Sequence, residues 1–270
     1  MSIEATLGIG IGVFLIAFAF APIGLGGGML FVPLLHYGAG WEIDGRLIAA
    51  SLTLTAVVSY GSGLAHRKNG HVDEALVKKG LVGAIPGALI GVLIVAAIGS
   101  KLDAVFKILS LLMIAWAIRK SLSKMRNQSS EKTQDDDEAS VKTVQLQIGA
   151  GIGGALSSVL AIGAGVVYVP ILRTFGNLQP RKAIGSSLHF MMAVIPFSII
   201  THIAFLPSES LDLLVDDFFF IVGLAATTFI GARSGAAFGM KHLSERRTMQ
   251  VFLALVVVVG LRYAIDLLGL

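Results

Sequence analysis

A ten-residue pattern occurs twice in this chain, and each time it interrupts an apolar run. The first copy is Gly24-Leu25-Gly26-Gly27-Gly28-Met29-Leu30-Phe31-Val32-Pro33, and the second is Ala161-Ile162-Gly163-Ala164-Gly165-Val166-Val167-Tyr168-Val169-Pro170. Both read small-x-Gly-small-Gly-x-x-x-Val-Pro in register. Glycine and proline break helices, and a broken backbone leaves amides and carbonyls without partners. At membrane depth that is tolerated only where protein buries the break or a cavity solvates it. Two such breaks, one per half, point to the binding site of a transporter.

Composition supports a membrane setting. The 270 residues are 55% hydrophobic and only 14% charged, with a mean hydropathy of +0.82. Soluble domains carry about 25% charged residues, so a soluble fold this apolar has too little polar surface to cover itself. Cysteine is absent, which excludes disulfides and thiolate metal sites. The net charge is +4, and the basic residues sit at the ends of apolar runs, as topology signals do. No nucleic-acid partner is expected from that distribution. Residues 1–4 lack a basic region, and no cleaved signal peptide is expected.

The chain reads as one duplication around a linker. Residues 1–120 form a first membrane repeat, 121–145 a flexible cytoplasmic linker, and 146–270 a second membrane repeat. The linker carries Asp135-Asp136-Asp137-Glu138 and cannot bury apolar surface. Ala50-Ser51-Leu52-Thr53 aligns with Ser186-Ser187-Leu188-His189. Gly83, Gly87 and Gly91 in one half match Gly231, Gly235 and Gly239 in the other, as small-xxx-small ridges for close helix packing. Residues 205–217 read as an acidic loop.

Charge counting then chooses a topology. If each glycine-broken run crosses once, lysine and arginine divide 11 against 8 between the two sides. If each run enters and returns on one side, they divide 16 inside against 3 outside, with Lys107 and Arg233 within spans. The second threading is adopted, and a kinked, tilted single helix is the alternative. The expected fold is all-α and polytopic. It has two inverted repeats, each a glycine-broken re-entrant hairpin followed by three transmembrane helices. Both termini then lie outside.

A helix restarting after the glycines presents free N–H groups and the positive end of its dipole to an anion. The candidate substrate-binding residues are Gly24, Gly26, Gly27, Gly28 and Pro33 in the first half, with Ser51 and Thr53 on the next span. In the second half they are Gly163, Gly165, Pro170, Ser187 and His189. The plainer readings are packing for the glycines, hydroxyls bonded to their own helix, and an interhelical histidine. Arg46 and Lys182 read as anchors, while Lys107 and Arg233 either meet an anion or snorkel. Gly149-Ala150-Gly151-Ile152-Gly153-Gly154 matches a dinucleotide fingerprint but lacks the preceding strand. No metal, cofactor or catalytic set is expected, since no carboxylate lies deep in a span and no HExxH occurs. If protons are coupled to transport, His189 is the candidate on side-chain chemistry.

The twin glycine-rich Val-Pro segments, the Ser51 and Ser187 regions and the two-half duplication resemble the TauE/SafE sulfite exporter family, also called toluene sulfonate uptake permeases. The resemblance implies a multi-pass protein of a bacterial or archaeal cytoplasmic (inner) membrane. It implies transport of a small anion such as sulfite, a sulfonate, sulfoacetate or thiosulfate. The reading is therefore a secondary anion carrier working by alternating access in a lipid bilayer, not an enzyme. The alternatives are an anion channel, an intramembrane enzyme and a subunit of a larger complex. The topology has a direct check: tags at both termini are expected to react with impermeant reagents from outside whole cells, and tags shielded until lysis would refute the threading.

Overall fold

A computed structural model describes residues 2–24, 27–126, 141–242 and 245–269. Within them the chain is helical: α1 (Ile3–Phe20), α2 (Gly28–Ala39), α3 (Gly45–Lys68), α4 (Glu74–Ile98), α5 (Leu102–Arg126), α6 (Thr143–Leu160), α7 (Ala164–Phe175), α8 (Pro180–Ala204), α9 (Ser208–Asp216), α10 (Phe218–His242) and α11 (Glu245–Leu268). Single 3-10 turns lie at Ala21–Ile23 and Gly99–Lys101. Five stretches are long and apolar enough to cross a membrane: Ile3–Phe20, Gly45–Lys68, Glu74–Arg119, Pro180–Ala204 and Phe218–Gly239. The third spans 46 residues, and the turn at Gly99–Lys101 divides it between α4 and α5. Of the expected linker, 127–140 lie outside the described residues, α5 continues to Arg126, and α6 begins at Thr143.

Each glycine-broken run doubles back on itself. α2 returns along α1, since a Cβ on Gly12 would stand 2.9 Å from Leu34 and one on Gly38 would stand 3.1 Å from Ile9. α7 returns along α6: Gly149 faces Ile171, Gly153 faces Tyr168, and the Lys142 amide donates to the Phe175 carbonyl at 3.0 Å. These are helical hairpins and not kinked single helices. At a rise of about 1.5 Å per residue, α1 is about 27 Å long and α2 about 18 Å, which puts the break far from both ends of the run.

The halves grip each other through glycine. On α4, Gly83, Gly87 and Gly91 lie against the backbone carbonyls of Gln147, Gly151 and Ala155 on α6. The residue numbers rise together, so these helices run parallel. On α10, Gly231 and Gly235 lie against the carbonyls of Phe14 and Phe18 on α1 in the same way. Each hairpin's first helix thus packs on a helix of the opposite half. Between them α3 and α8 run antiparallel, with Gly45 beside Leu206, Gly63 beside Leu188, and Gly185 against the His71 carbonyl.

Two differences from the sequence reading concern the end of the bundle that holds the start of α1. The 205–217 segment is not a plain loop, because Ser208–Asp216 forms the short helix α9. Its Leu211, Leu213 and Val215 are exposed beside exposed Phe218 and Phe219, an apolar surface that a purely polar loop lacks. Lys107 does not snorkel. It is 6% exposed and is held by Asp103 at 2.9 Å and Asp266 at 3.3 Å. Tyr37 of α2 donates to Asp266 at 2.7 Å, and Arg262 pairs with the same carboxylate at 3.5 Å. The network ties the end of the first hairpin to α5 and α11. Arg46 pairs with Asp217 at 3.2 Å and lies over the Trp41 ring at 4.6 Å. Beside it, burial pushes the Asp44 carboxyl upward from its ordinary range, against the pull of the Leu47 amide bonded to it.

Gly87→Leu is expected to force α4 and α6 apart, at a cost of about 1–3 kcal/mol or more. Thermal unfolding of purified protein reads it out. Gly8→Leu, where nothing stands within 4 Å, should stay within about 0.5 kcal/mol of the parent.

Candidate anion site

The two breaks meet. A Cβ on Gly28 would overlap the Ala161 carbonyl and stand 2.7 Å from Thr55 Oγ1. Only glycine permits that approach. Gly28 is the first residue of α2, and Ala161 lies three residues before the first residue of α7. α8 closes the site from another side, with Ile184 Cγ2 at 2.7 Å from where a Cβ on Gly24 would sit.

The backbone at the breaks is left-handed where the sequence alternates glycine and alanine. Gly24 has φ 69° and Gly27 φ 71°. Ala161, the counterpart of Gly24, has φ 49°. A left-handed non-glycine residue costs roughly 1–2 kcal/mol. The surrounding contacts hold Ala161 there, fully buried.

The helix starts at the breaks differ from the others in being both uncapped and buried, since α6, α8 and α9 also lack a side-chain cap but begin on the exposed residues Lys142, Gln179 and Pro207. α1, α3 and α4 begin on Ser2, Asp44 and Asp73, each accepting a backbone N–H with its side chain. α2 and α7 begin on Gly27 and Gly163, which have no side-chain cap. Gly27, Gly28, Ile162 and Gly163 are all buried. The first amides of a helix have no partner within it. Two buried, uncapped starts therefore lie side by side, each with N–H donors and a positive dipole end, and the arrangement suits an anion. Pro33 and Pro170 lie inside α2 and α7. Their missing N–H groups release the carbonyls one turn back, at Met29 and Val166.

The flanking side chains divide into two groups. Ser51 is fully buried, and its hydroxyl has no partner among the described residues. One turn on, Thr55 donates to the Ser51 carbonyl at 2.8 Å and borders Gly28. Thr53 lies about 200° around the helix from Ser51, with its hydroxyl on the Ala49 carbonyl at 2.9 Å. Ser187 donates to the Ile184 carbonyl at 2.7 Å, in the turn of α8 that covers Gly24. His189 lies beside Gly63 where α3 and α8 cross. Its Nδ1 is 3.0 Å from the Gly185 carbonyl, and its Nε2 is buried without a partner among the described residues. Gly26 lies outside the described residues. Gly165 is the second residue of α7.

Sequence reasoning passed over the groups that hold the other sides of the breaks. Ser62 Oγ donates to the Ala21 carbonyl at 2.6 Å, at the end of the first half-helix. His202 Nε2 lies 2.9 Å from the Ser158 carbonyl near the end of α6, and Ser198 Oγ lies 2.8 Å from Ser158 Oγ. Ser62-x-x-x-His66 and Ser198-x-x-x-His202 recur at the offset that aligns Ser51 with Ser187. That repetition was available as a signal. So was the spacing of Ser51, Thr55, Ser59, Ser62 and His66, which forms a buried polar stripe along one face of α3.

A helical bundle with apolar spans and two facing backbone breaks is the architecture of a polytopic membrane protein. The family model described as "Sulfite exporter TauE/SafE" matches residues 9–263. Proteins from two strains of Xylella fastidiosa, each described as "Probable membrane transporter protein", are 30% identical over 241 residues, covering 86% of this chain and 86% of theirs. No solved structure matches. The chain belongs to the TauE/SafE family, and it is a membrane transporter rather than an enzyme.

Ala161→Gly is expected to relieve left-handed strain and raise stability by about 0.5–1 kcal/mol. A rise in melting temperature of the purified protein checks it. A fall would mean that the alanine methyl contributes more in packing than its backbone costs.

Proposed function

We propose that this chain is a secondary carrier of a small sulfur-containing anion of the sulfite, sulfonate, sulfoacetate or thiosulfate class. The anion is held where the two helix breaks meet. The carrying observation is the approach of Gly28 to Ala161, which sets two buried, uncapped helix starts together. Amides from Gly27 and Gly28 on one side and from Gly163 and Gly165 on the other replace the anion's water. Gly24 turns the chain, and Pro33 and Pro170 loosen the restarted helices. Ser51 supplies a free hydroxyl, with Thr53, Ser187 and His189 lining the paths to it.

The halves are inverted repeats, each a re-entrant hairpin and three spans, with both termini outside a bacterial or archaeal inner membrane. Antiparallel packing of the corresponding helices α3 and α8 supports inversion. Alternating access follows as a rocking of one hairpin and its partner helix against the other. Transport is coupled to protons through a titratable group beside the site.

Reconstituted protein is expected to show saturable counterflow of radiolabelled sulfite, thiosulfate or sulfoacetate. Gly28→Ala should abolish it while the protein remains in the membrane. Flux that never saturates would contradict a carrier, and so would no flux of any of the three.

A further inference from the structure

The second break carries its two opposite ends three residues apart. α6 ends at Leu160, where the carbonyl end of its dipole is negative, and α7 starts at Ala164, where the amide end is positive. The amide end is the anion half of the proposed site. The carbonyl end is occupied by an imidazole: His202, 3% exposed, with Nε2 at 2.9 Å from the Ser158 carbonyl. A carbonyl only accepts, so Nε2 carries the hydrogen. A further proton then binds Nδ1 and leaves the Nε2 bond in place, now charge-assisted.

We propose that His202 is the site of the coupling proton, bound together with the anion at the same break. The inference rests on the carrier reading above. An imidazolium at the end of α6 and an anion at the start of α7 compensate each other in a site closed to water, so each raises the other's affinity. That mutual dependence makes the proton and the anion travel in the same direction.

The surroundings of the two matched histidines decide between them. At His202 the contact is the Ser158 carbonyl at 2.9 Å, and Ser198, one turn earlier on the same helix, lies 2.8 Å from the Ser158 hydroxyl. His66, its counterpart on α3, stands beside the Pro22 backbone with neither nitrogen in a formed hydrogen bond. It faces His71 from the following turn, with ring centroids 5.9 Å apart, and its Cβ lies 3.2 Å from where a Cβ on Gly185 of α8 would sit. From α10, the Arg233 backbone lies against Gly61 of the same helix, and Arg67 at the helix end is paired with Glu74 at 2.7 Å. A proton on His66 meets a second imidazole, whereas a proton on His202 strengthens a bond already made to a carbonyl. We place the coupling proton on His202 and not on His189, whose Nδ1 lies 3.0 Å from the Gly185 carbonyl of its own helix.

The test uses full-length protein in proteoliposomes with radiolabelled thiosulfate and sulfoacetate. His202→Gln keeps an N–H donor for the Ser158 carbonyl but cannot take up the proton. The parent is expected to accumulate the anion above equilibrium under an imposed pH gradient. His202→Gln should show counterflow without a gradient only at a higher anion concentration than the parent needs, and fall to the equilibrium level with a gradient, whereas His66→Gln should keep both activities. Gradient-driven accumulation by His202→Gln overturns the assignment, and so does a parent indifferent to the gradient. Absence of counterflow in the parent overturns the carrier reading instead. A measurement on unmodified protein guards against a misfolded variant: in weakly buffered detergent solution with a pH indicator, saturating anion should draw protons from solution, and no uptake overturns the proposal.

Discussion

The structure depends on one backbone contact, the seating of Gly28 against the Ala161 carbonyl. A single added methyl group would occupy the space of that oxygen. Glycines also set the packing between the helices that carry the two breaks and their neighbours. Gly83, Gly87 and Gly91 bring α6 close to α4, and Gly231 and Gly235 bring α10 close to α1. Lipid tails are as apolar as leucine, so close packing and buried polar contacts must hold such helices together. With both hairpins drawn inward in this way, their tips have nowhere to go but against each other.

The two tips are built alike but finished differently. In both, the carbonyl end of the first half-helix is bonded by side chains from a long neighbouring helix: Ser62 on the Ala21 carbonyl, and His202 on the Ser158 carbonyl. In both, the amide end of the second half-helix starts without a side-chain cap. Bonded carbonyls at the ends of the first half-helices and uncapped amides at the starts of the second are what the proposed anion site rests on. The differences lie in the flanks. α3 presents Ser51, Thr55, Ser59, Ser62 and His66 on one buried face, whereas α8 places Met191 and Ile195 where α3 has Thr55 and Ser59. Where the first tip turns through Gly24, the second turns through a strained Ala161. The site is therefore asymmetric in polarity although its scaffold is paired.

Much of this is readable from residue order. The ten-residue repeat locates both breaks, and the lysine and arginine count favours a doubled-back run over a crossing one, which the contacts of Gly12, Gly38, Gly149 and Gly153 bear out. The spacing of Gly83, Gly87 and Gly91 marks a packing ridge, which is what those residues form. Contacts between distant segments were not readable. Gly28 and Ala161 are far apart in the chain, and nothing local records that one rests on the other. The pairing of Lys107 with Asp266 joins α5 to α11 across more than half the sequence, so a lysine read singly looked able to snorkel. The 205–217 segment was read by its charges, although its leucines and valine shape α9. His66 and His202 were missed because a histidine near the end of an apolar run resembles an interfacial residue. Only their matched place in the duplication separates them from that class.

An anion at the junction of the two breaks can be tested in place. The chain has no cysteine, so a single cysteine placed at Met29, on the first turn of α2, reports on that junction alone. Its rate of modification by a small thiol reagent, measured with and without sulfoacetate, is the most direct measurement. The account predicts that the anion slows modification, with a concentration dependence matching that of transport. Modification at an unchanged rate, at anion concentrations that saturate transport, would contradict it.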